Sequence, residues 1–354
     1  MDIGQPPEVP LVSIAVVITT IQPPTAGVEA IAEGMRARGN PVVIVGDLKS
    51  PDTWACSGVE YLSYADQLET GFALTSVLPA NSYTRKMLGY LTAVIGGARW
   101  IRETDDDNEP YESFFDDVPV SVMARVPQID SDWVNIYSYF TDRFIWPRGF
   151  PLANLHSSID AGGPVSGMRE VTGLIVFQGL ADGDPDVDAV YRLTAPDTSE
   201  VLFSQADPLV LPHGTWTPFN TQATTWPREL LPLMYLPSTC SFRMTDIWRS
   251  FVALRLMPGL DASLVITAPI AYQVRNEHDL MRDFQQEVEG YVGYERLVKT
   301  LADTPLAGGS ANVLADLRVL YGALIAAGFL QEAELIVLDA WIQDITTLGF
   351  GDAA

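Results

Sequence analysis

Two apolar, β-branched runs frame the start of the chain, LVSIAVVITT over 11–20 and PVVIVGD over 41–47. Between them AGVEAIAEGMRARG carries apolar residues at helical spacing, preceded by Thr25 as a cap and closed by Gly39. A strand, a helix and a strand between residues 11 and 47 form a βαβ unit, which makes the two strands parallel. Helical patterns follow at 64–79 and 82–98, and then a third strand, ARWIRE, at 98–103. Each of the three strands ends in polar residues: Thr19-Thr20, Asp47, and Asp105-Asp106-Asp107. Ligands of open α/β sheets lie outside the carboxyl ends of the strands, so these residues are expected to meet at one crevice.

The remainder reads as the second half of the same fold with long binding loops. Short β-like runs occur at TGLIVFQGL (172–180), AVYRLT (189–194) and SLVITAPI (263–270), among segments rich in proline and aromatic residues. From 294 the pattern is helical, with 313–328 and 330–349 forming an antiparallel pair joined at Gly328. The expected class is α/β: a Rossmann-type mixed sheet flanked by helices, with a helical C-terminal tail. A body at 1–293 divides into a nucleotide-binding half (10–125) and an acceptor half (126–293). The extension at 294–354 offers apolar faces to a homodimer.

Charge narrows the function classes. The 45 acidic residues outnumber the 21 basic ones, leaving a net charge of −24, which excludes a general electrostatic attraction to nucleic acid or an anionic membrane. The 2 cysteines lack metal-ligand spacing and suit a reduced compartment. MDIGQPPEVP lacks signal-peptide features, and the run at 11–21 is too short to span a bilayer. A cytoplasmic protein without a transmembrane segment is expected, with room for peripheral association at the inner face of a membrane.

The aspartate triplet decides between a solvated turn and a cation site. It follows a buried-looking strand, and the D-x-D spacing lets Asp105 and Asp107 face one hard divalent cation, Mg²⁺ or Mn²⁺. Arg85 and Lys86 open the helix before that strand and suit a diphosphate. Thr19, Thr20, Asp47 and Lys49 are placed for the base and ribose of a nucleotide, with Asp105 and Asp106 beside its phosphates. Asp246 in FRMTDIWRS is of the right type to take a proton from an acceptor hydroxyl; Thr245-Asp246 before an apolar run reads first as a helix cap, and one residue can serve as both. Trp146 and Trp216 in proline-flanked settings are candidate sugar platforms, although a tryptophan taken singly is more often a core or hinge residue. His213 and the acidic run that holds Asp182 and Asp184 complete the acceptor-side candidates.

NSYTRKMLGYLTAVIGGARWIRETDDDNEP (81–110) resembles the core of the STELLO-like glycosyltransferase family, in which S/Y-x-R-K-N-x-G-Y-L-x-A precedes an acidic D-D-D-type motif. The resemblance continues through WPRGFP, QGLADGDPDVDAVYRLT and RNEHDLMRDFQQEV and covers residues 10–290; Met87 departs from it, standing where the pattern has Asn. It implies a GT-A-like fold, a UDP- or GDP-sugar donor, a glycan acceptor, and Mn²⁺ or Mg²⁺ at the D-x-D pair with His278 as a further ligand. The function so implied is metal-dependent hexosyl transfer in cell-surface polysaccharide synthesis. A nucleotidyltransferase would carry a basic Gly-rich loop after the first strand, where this chain has ITTIQPPTAG. A non-catalytic sugar-binding or scaffold protein is the other rival.

Overall fold

A computed structural model describes residues 12–51, 53–129, 131–155, 163–197, 199–276 and 279–351. The first parallel unit comprises β1 (Val12–Thr19), α1 (Ala26–Ala37), β2 (Val42–Val45) and β3 (Val59–Leu62). The Thr25 hydroxyl accepts from Val28 N, capping α1 as expected. The short α2 (Tyr64–Leu68) and α3 (Lys86–Ile95) lead to β4 (Ala98–Thr104) and β5 (Asn108–Pro110). β6 (Ser121–Pro127) and β7 (Val165–Thr172) pair antiparallel at the far end of the sheet, and β8 (Leu174–Gly183) returns to its centre. α4 (Ala189–Thr194), β9 (Leu209–Val210), β10 (Ala223–Pro227), α5 (Thr245–Leu256) and β11 (Ala262–Gln273) complete the body. α6 (Leu280–Tyr291), α7 (Tyr294–Asp303), α8 (Val313–Ala326) and α9 (Glu334–Thr347) end the chain.

Among the described residues one 11-stranded mixed sheet has the order β3-β2-β1-β4-β10-β8-β11-β9-β6-β7, with β5 on β11. β3, β2, β1 and β4 are mutually parallel, and so are β8 and β11. β10 lies antiparallel between β4 and β8, so all six of those strands point the same way and share one carboxyl edge. The mixed sheet, its flanking helices and the helical tail agree with the class expected from sequence. The sheet runs through both expected halves without a break.

Close helix–sheet packing has a visible cause. A Cβ on Gly89 would stand 2.5 Å from Val17 Cγ1 and 2.8 Å from Val45 Cγ2, so its absence lets α3 lie directly on β1 and β2. Next to it Tyr90 reaches the buried Glu103, whose carboxylate also pairs with the fully buried Arg249 at 2.8 Å.

Two element expectations need correction. The helix expected over 64–79 stops at Leu68 and gives way to a 3₁₀ turn at Ala73–Ser76. AVYRLT is not a strand but α4. Its N-terminus is held twice, by Asp188 accepting from Tyr191 N at 2.7 Å and by Glu287 accepting from Ala189 N at 2.8 Å, and these caps outweigh its β-like composition. The tail helices are part of the core. Leu317, Leu320, Leu324, Trp341 and Ile345 are buried. Glu334 accepts from Ser238 N at 2.9 Å and Thr239 N at 2.8 Å, and Asp344 accepts from Ala73 N at 2.8 Å. The apolar faces expected to serve a homodimer are thus covered by the chain itself; of the large apolar residues on α8 and α9, Val319 and Ile336 are exposed. No helix among the described residues is long and apolar enough to cross a membrane.

Gly89→Ala forces a methyl group into Val17 and Val45. It should destabilise the protein by about 1–3 kcal/mol, seen as a lower urea midpoint with an unchanged slope; an unchanged midpoint would show that α3 can lift off the sheet freely.

Candidate functional site

A cleft of ≈ 440 Å³ opens at the shared carboxyl edge. Thr19 and Thr20 enter it from the end of β1, Asp47 and Lys49 from the end of β2, and Asp105, Asp106 and Asp107 from the end of β4. Asp186 follows β8, Gln273 and Arg275 come from the end of β11, and Arg243 and Asp246 come from the start of α5. The crevice expected from the polar strand ends is therefore present, wider than the first three strands alone would make it. Tyr83 and the exposed Phe242 form one rim, their rings edge-to-face at 5.6 Å.

The cleft collects unmet hydrogen-bonding groups. Thr19 Oγ1, Arg85 Nη2, Asp107 Oδ1 and Gln273 Oε1 are buried without a partner, and all four residues line it. Buried polar groups are nearly always paired, so such a concentration marks a place where a ligand completes the bonding.

The three aspartates are held in different ways. Asp105 accepts from Tyr83 Oη at 2.8 Å and from Lys86 Nζ at 3.2 Å. Asp106 accepts from Thr20 Oγ1 at 2.5 Å; burial raises its carboxyl above the usual range, and Asp105 adds to the rise. Asp107 accepts from Gln273 Nε2 at 3.1 Å. Burial and then the charge of Asp105 push its carboxyl up to about 6. Repulsion between the neighbouring carboxylates thus adds to a rise that burial begins.

Lys86 and Arg85 differ from expectation. Lys86 is fully buried beneath the triplet and does not line the cleft; its ammonium donates to Thr104 O at 2.9 Å, Tyr83 Oη at 2.8 Å and Thr221 O at 3.4 Å as well as to Asp105. It neutralises the triplet from below and has no donor left for a phosphate. Arg85 does line the cleft, with Nε on Gln67 Oε1 at 2.6 Å and its guanidinium carbon 4.5 Å from the Tyr64 ring centroid. Asp47 spends both oxygens on backbone, accepting from Asn81 N at 2.8 Å and Ser82 N at 2.9 Å, so it shapes the loop ahead of α3.

Opposite the triplet stands a hub that sequence reasoning missed. Arg148 donates to Asp186 at 2.7 and 2.8 Å and to both oxygens of Asp246 at 3.0 Å. Burial opposes the charge of Asp186, but Arg148 prevails and holds its carboxyl well below the usual range. Asn220 donates to Asp186 at 2.9 Å, and Arg243 pairs with the buried Glu287 at 2.7 Å. The clues were single residues inside WPRGFP, DGDPDVD and FRMTDIWRS; nothing in their spacing says that they meet. Asp246 is not the cap of α5, which is Met244, but lies in its first turn, fixed by Arg148.

The other acceptor-side candidates lie away from this cleft. Trp146 is buried and donates to Asp188 Oδ2 at 2.7 Å; Trp216 is core, packed against Phe251. His213 Nε2 stands 2.9 Å from Ala262 O. Asp182 is buried and accepts from Phe203 N at 2.8 Å and Tyr111 Oη at 3.0 Å. Asp184 pairs with Arg192 and faces a neighbouring cleft. His278 lies outside the described residues.

Whether these residues suit a divalent cation can be judged from the donors. No group of three or more His, Cys, Asp or Glu side chains placed for a metal exists among the described residues. Two carboxylates do suit one: Asp107 offers the unpartnered Oδ1, and a cation held by it and Asp105 would offset both the burial of its charge and the repulsion from Asp105. Water and ligand oxygens would complete such a shell, as is common for Mg²⁺.

Asp107→Asn tests that repulsion. A carboxyl raised in the folded state costs stability as pH rises from its unfolded value towards about 6. In EDTA the variant should therefore melt above the wild type at pH 7.5, and the gain should shrink towards pH 4. A gain independent of pH would show that Asp107 carries no strained charge.

The STELLO glycosyltransferases family model matches residues 243–353, which takes in Arg243, Asp246, Arg275 and the tail helices. Two Arabidopsis thaliana proteins align along nearly the whole chain. "Probable glycosyltransferase STELLO1" is 28% identical over 358 residues, 95% of this chain and 44% of that protein. "Probable glycosyltransferase STELLO2" is 26% identical over 356 residues, 95% of this chain and 45% of that protein. The chain thus spans less than half the length of either relative. Among solved structures, that titled "Crystal structure of M. tuberculosis glucosyl-3-phosphoglycerate synthase" aligns over 82% of this chain and 79% of its own with 13% identity and a TM-score of 0.36. The family-model match and the two alignments along nearly the whole chain bear out the resemblance first carried by residues 81–110: over this length the chain is similar to the STELLO glycosyltransferases.

Proposed function

We propose that this chain transfers a sugar, a hexose, from a UDP- or GDP-sugar to a glycan acceptor, with a divalent cation assisting, in the assembly of cell-surface polysaccharide. The observation that carries the reading is the meeting of unpartnered polar atoms and three aspartates at the carboxyl edge of the parallel strands. Similarity to the STELLO glycosyltransferases supplies the reaction class.

In this reading Thr19 and Lys49 face the nucleoside, and Arg85 directs its unpartnered Nη2 to a phosphate. Asp105 and Asp107 would hold the cation, which when bound offsets the charge of the diphosphate leaving group. Asp246, oriented through both oxygens by Arg148, is the carboxylate assigned to the acceptor proton. Lys86 supports a second reading, in which the nucleotide sugar binds without metal because the buried ammonium already neutralises Asp105.

Calorimetry with UDP and GDP, in Mn²⁺ and in EDTA, separates the two. The first reading expects binding only with Mn²⁺ and its loss in Asp107→Ala; equal affinity in EDTA would reject it in favour of the second. Arg85→Ala should cost about 1.5–3 kcal/mol of nucleoside diphosphate binding, and an unchanged affinity would reassign Arg85 to loop packing.

A further inference from the structure

A second cleft of ≈ 500 Å³ lies beside the first, and Gln273, Arg275 and Asn276 at the end of β11 line both. The segment after β8 divides them, presenting Asp184 to the second cleft and Asp186 to the first. We infer that this second cleft binds the body of a neutral oligosaccharide acceptor whose reacting end lies in the first; the inference rests on the transferase reading and names its acceptor.

Two aromatic rings line the cleft. Tyr191 is braced edge-on by Trp146 at 5.2 Å, and Tyr272 is tied through its hydroxyl to Glu200. Val187 and Val201 add aliphatic surface. A pyranose matches such a lining, because its C–H face packs on a ring while its hydroxyls meet polar groups at the edge.

The unmet groups specify the polar half of the ligand. Arg192 Nε is a buried donor without an acceptor, and Gln273 Oε1, on the shared wall, is a buried acceptor without a donor. A phosphate or carboxylate ligand accepts but cannot donate, so it would leave Gln273 unmet; a hydroxyl does both. Charge agrees: Asp184, Asp197 and Glu200 outnumber Arg192 and Arg275 along the lining, which disfavours an anion. Arg275 is also engaged already, at 2.9 Å from Asp283.

The test needs no turnover. Neutral tetrasaccharides of glucose, mannose and xylose, with tetragalacturonate as the anionic control, are titrated into the full chain by calorimetry with and without UDP and Mn²⁺. At least one neutral tetrasaccharide should bind, more tightly than its monosaccharide and than tetragalacturonate, and UDP should not displace it. Tyr272→Ala should weaken it about tenfold, Tyr272→Phe much less, with UDP affinity unchanged in both. The Phe variant and a thermal melt guard against simple misfolding. The inference falls if no neutral tetrasaccharide binds, if UDP displaces it, if the anionic sugar binds better, or if Tyr272→Ala has no effect. Failure of both UDP and GDP to bind, with tetrasaccharide binding intact, would instead remove the transferase reading and leave a sugar-binding cleft.

Discussion

A single buried ammonium makes the acidic edge of this sheet tenable. Lys86 Nζ reaches Thr104 O and Asp105 at the end of β4, Thr221 O ahead of β10, and Tyr83 ahead of its own helix. Desolvating a cation costs several kcal/mol, recovered only when good acceptors surround it, and here they come from three separate segments. The same contacts set the spacing between β4 and the loop that carries Asn220, and through Asn220 the position of Asp186. Lys86 is the cation that pairs with the triplet among the described residues.

The first half of the fold was legible because its signals are local. The β-branched runs at 11–20 and 41–47, the Thr25 cap and the polar strand ends need no knowledge of the rest of the chain. The triplet was legible for the same reason. The opposite wall was not, because Arg148 meets Asp186 and Asp246 across separations of 38 and 98 residues, which no periodicity encodes. Trp146, Trp216 and His213 were selected by side-chain type alone; burial assigns the two tryptophans to the core, and His213 is exposed beside Ala262 O. In AVYRLT composition misled, since the deciding caps are Asp188 and the distant Glu287. Similarly, the tail read correctly as helices, but the chain does not announce that Glu334 and Asp344 plug into backbone amides some 95 to 271 residues away.

Charge is distributed unevenly between the cleft and the rest of the surface. The chain carries a net −24, yet around the first cleft Lys49, Arg85, Arg148, Arg243 and Arg275 nearly balance Asp47, Asp105, Asp106, Asp107, Asp186 and Asp246. An anionic donor would therefore meet mixed charge in the cleft after passing a repelling exterior. Its entry should quicken with ionic strength, because salt shortens the reach of the exterior field while leaving the buried pairs almost untouched.

The antiparallel β10 carries a mechanical consequence. Its Thr224 is in register with Glu103 on β4 and with Gln178 on β8, so the two walls of the cleft are stitched into one sheet with no seam to flex. Domain closure about a hinge, a common means of sealing a transferase, is denied to this architecture. Any sealing of the cleft must come from short surface segments such as those carrying the exposed Ile21 and Phe242. The tempo of a reaction cycle would then be set by loops of a few residues, and a stiffer sheet would leave it unchanged.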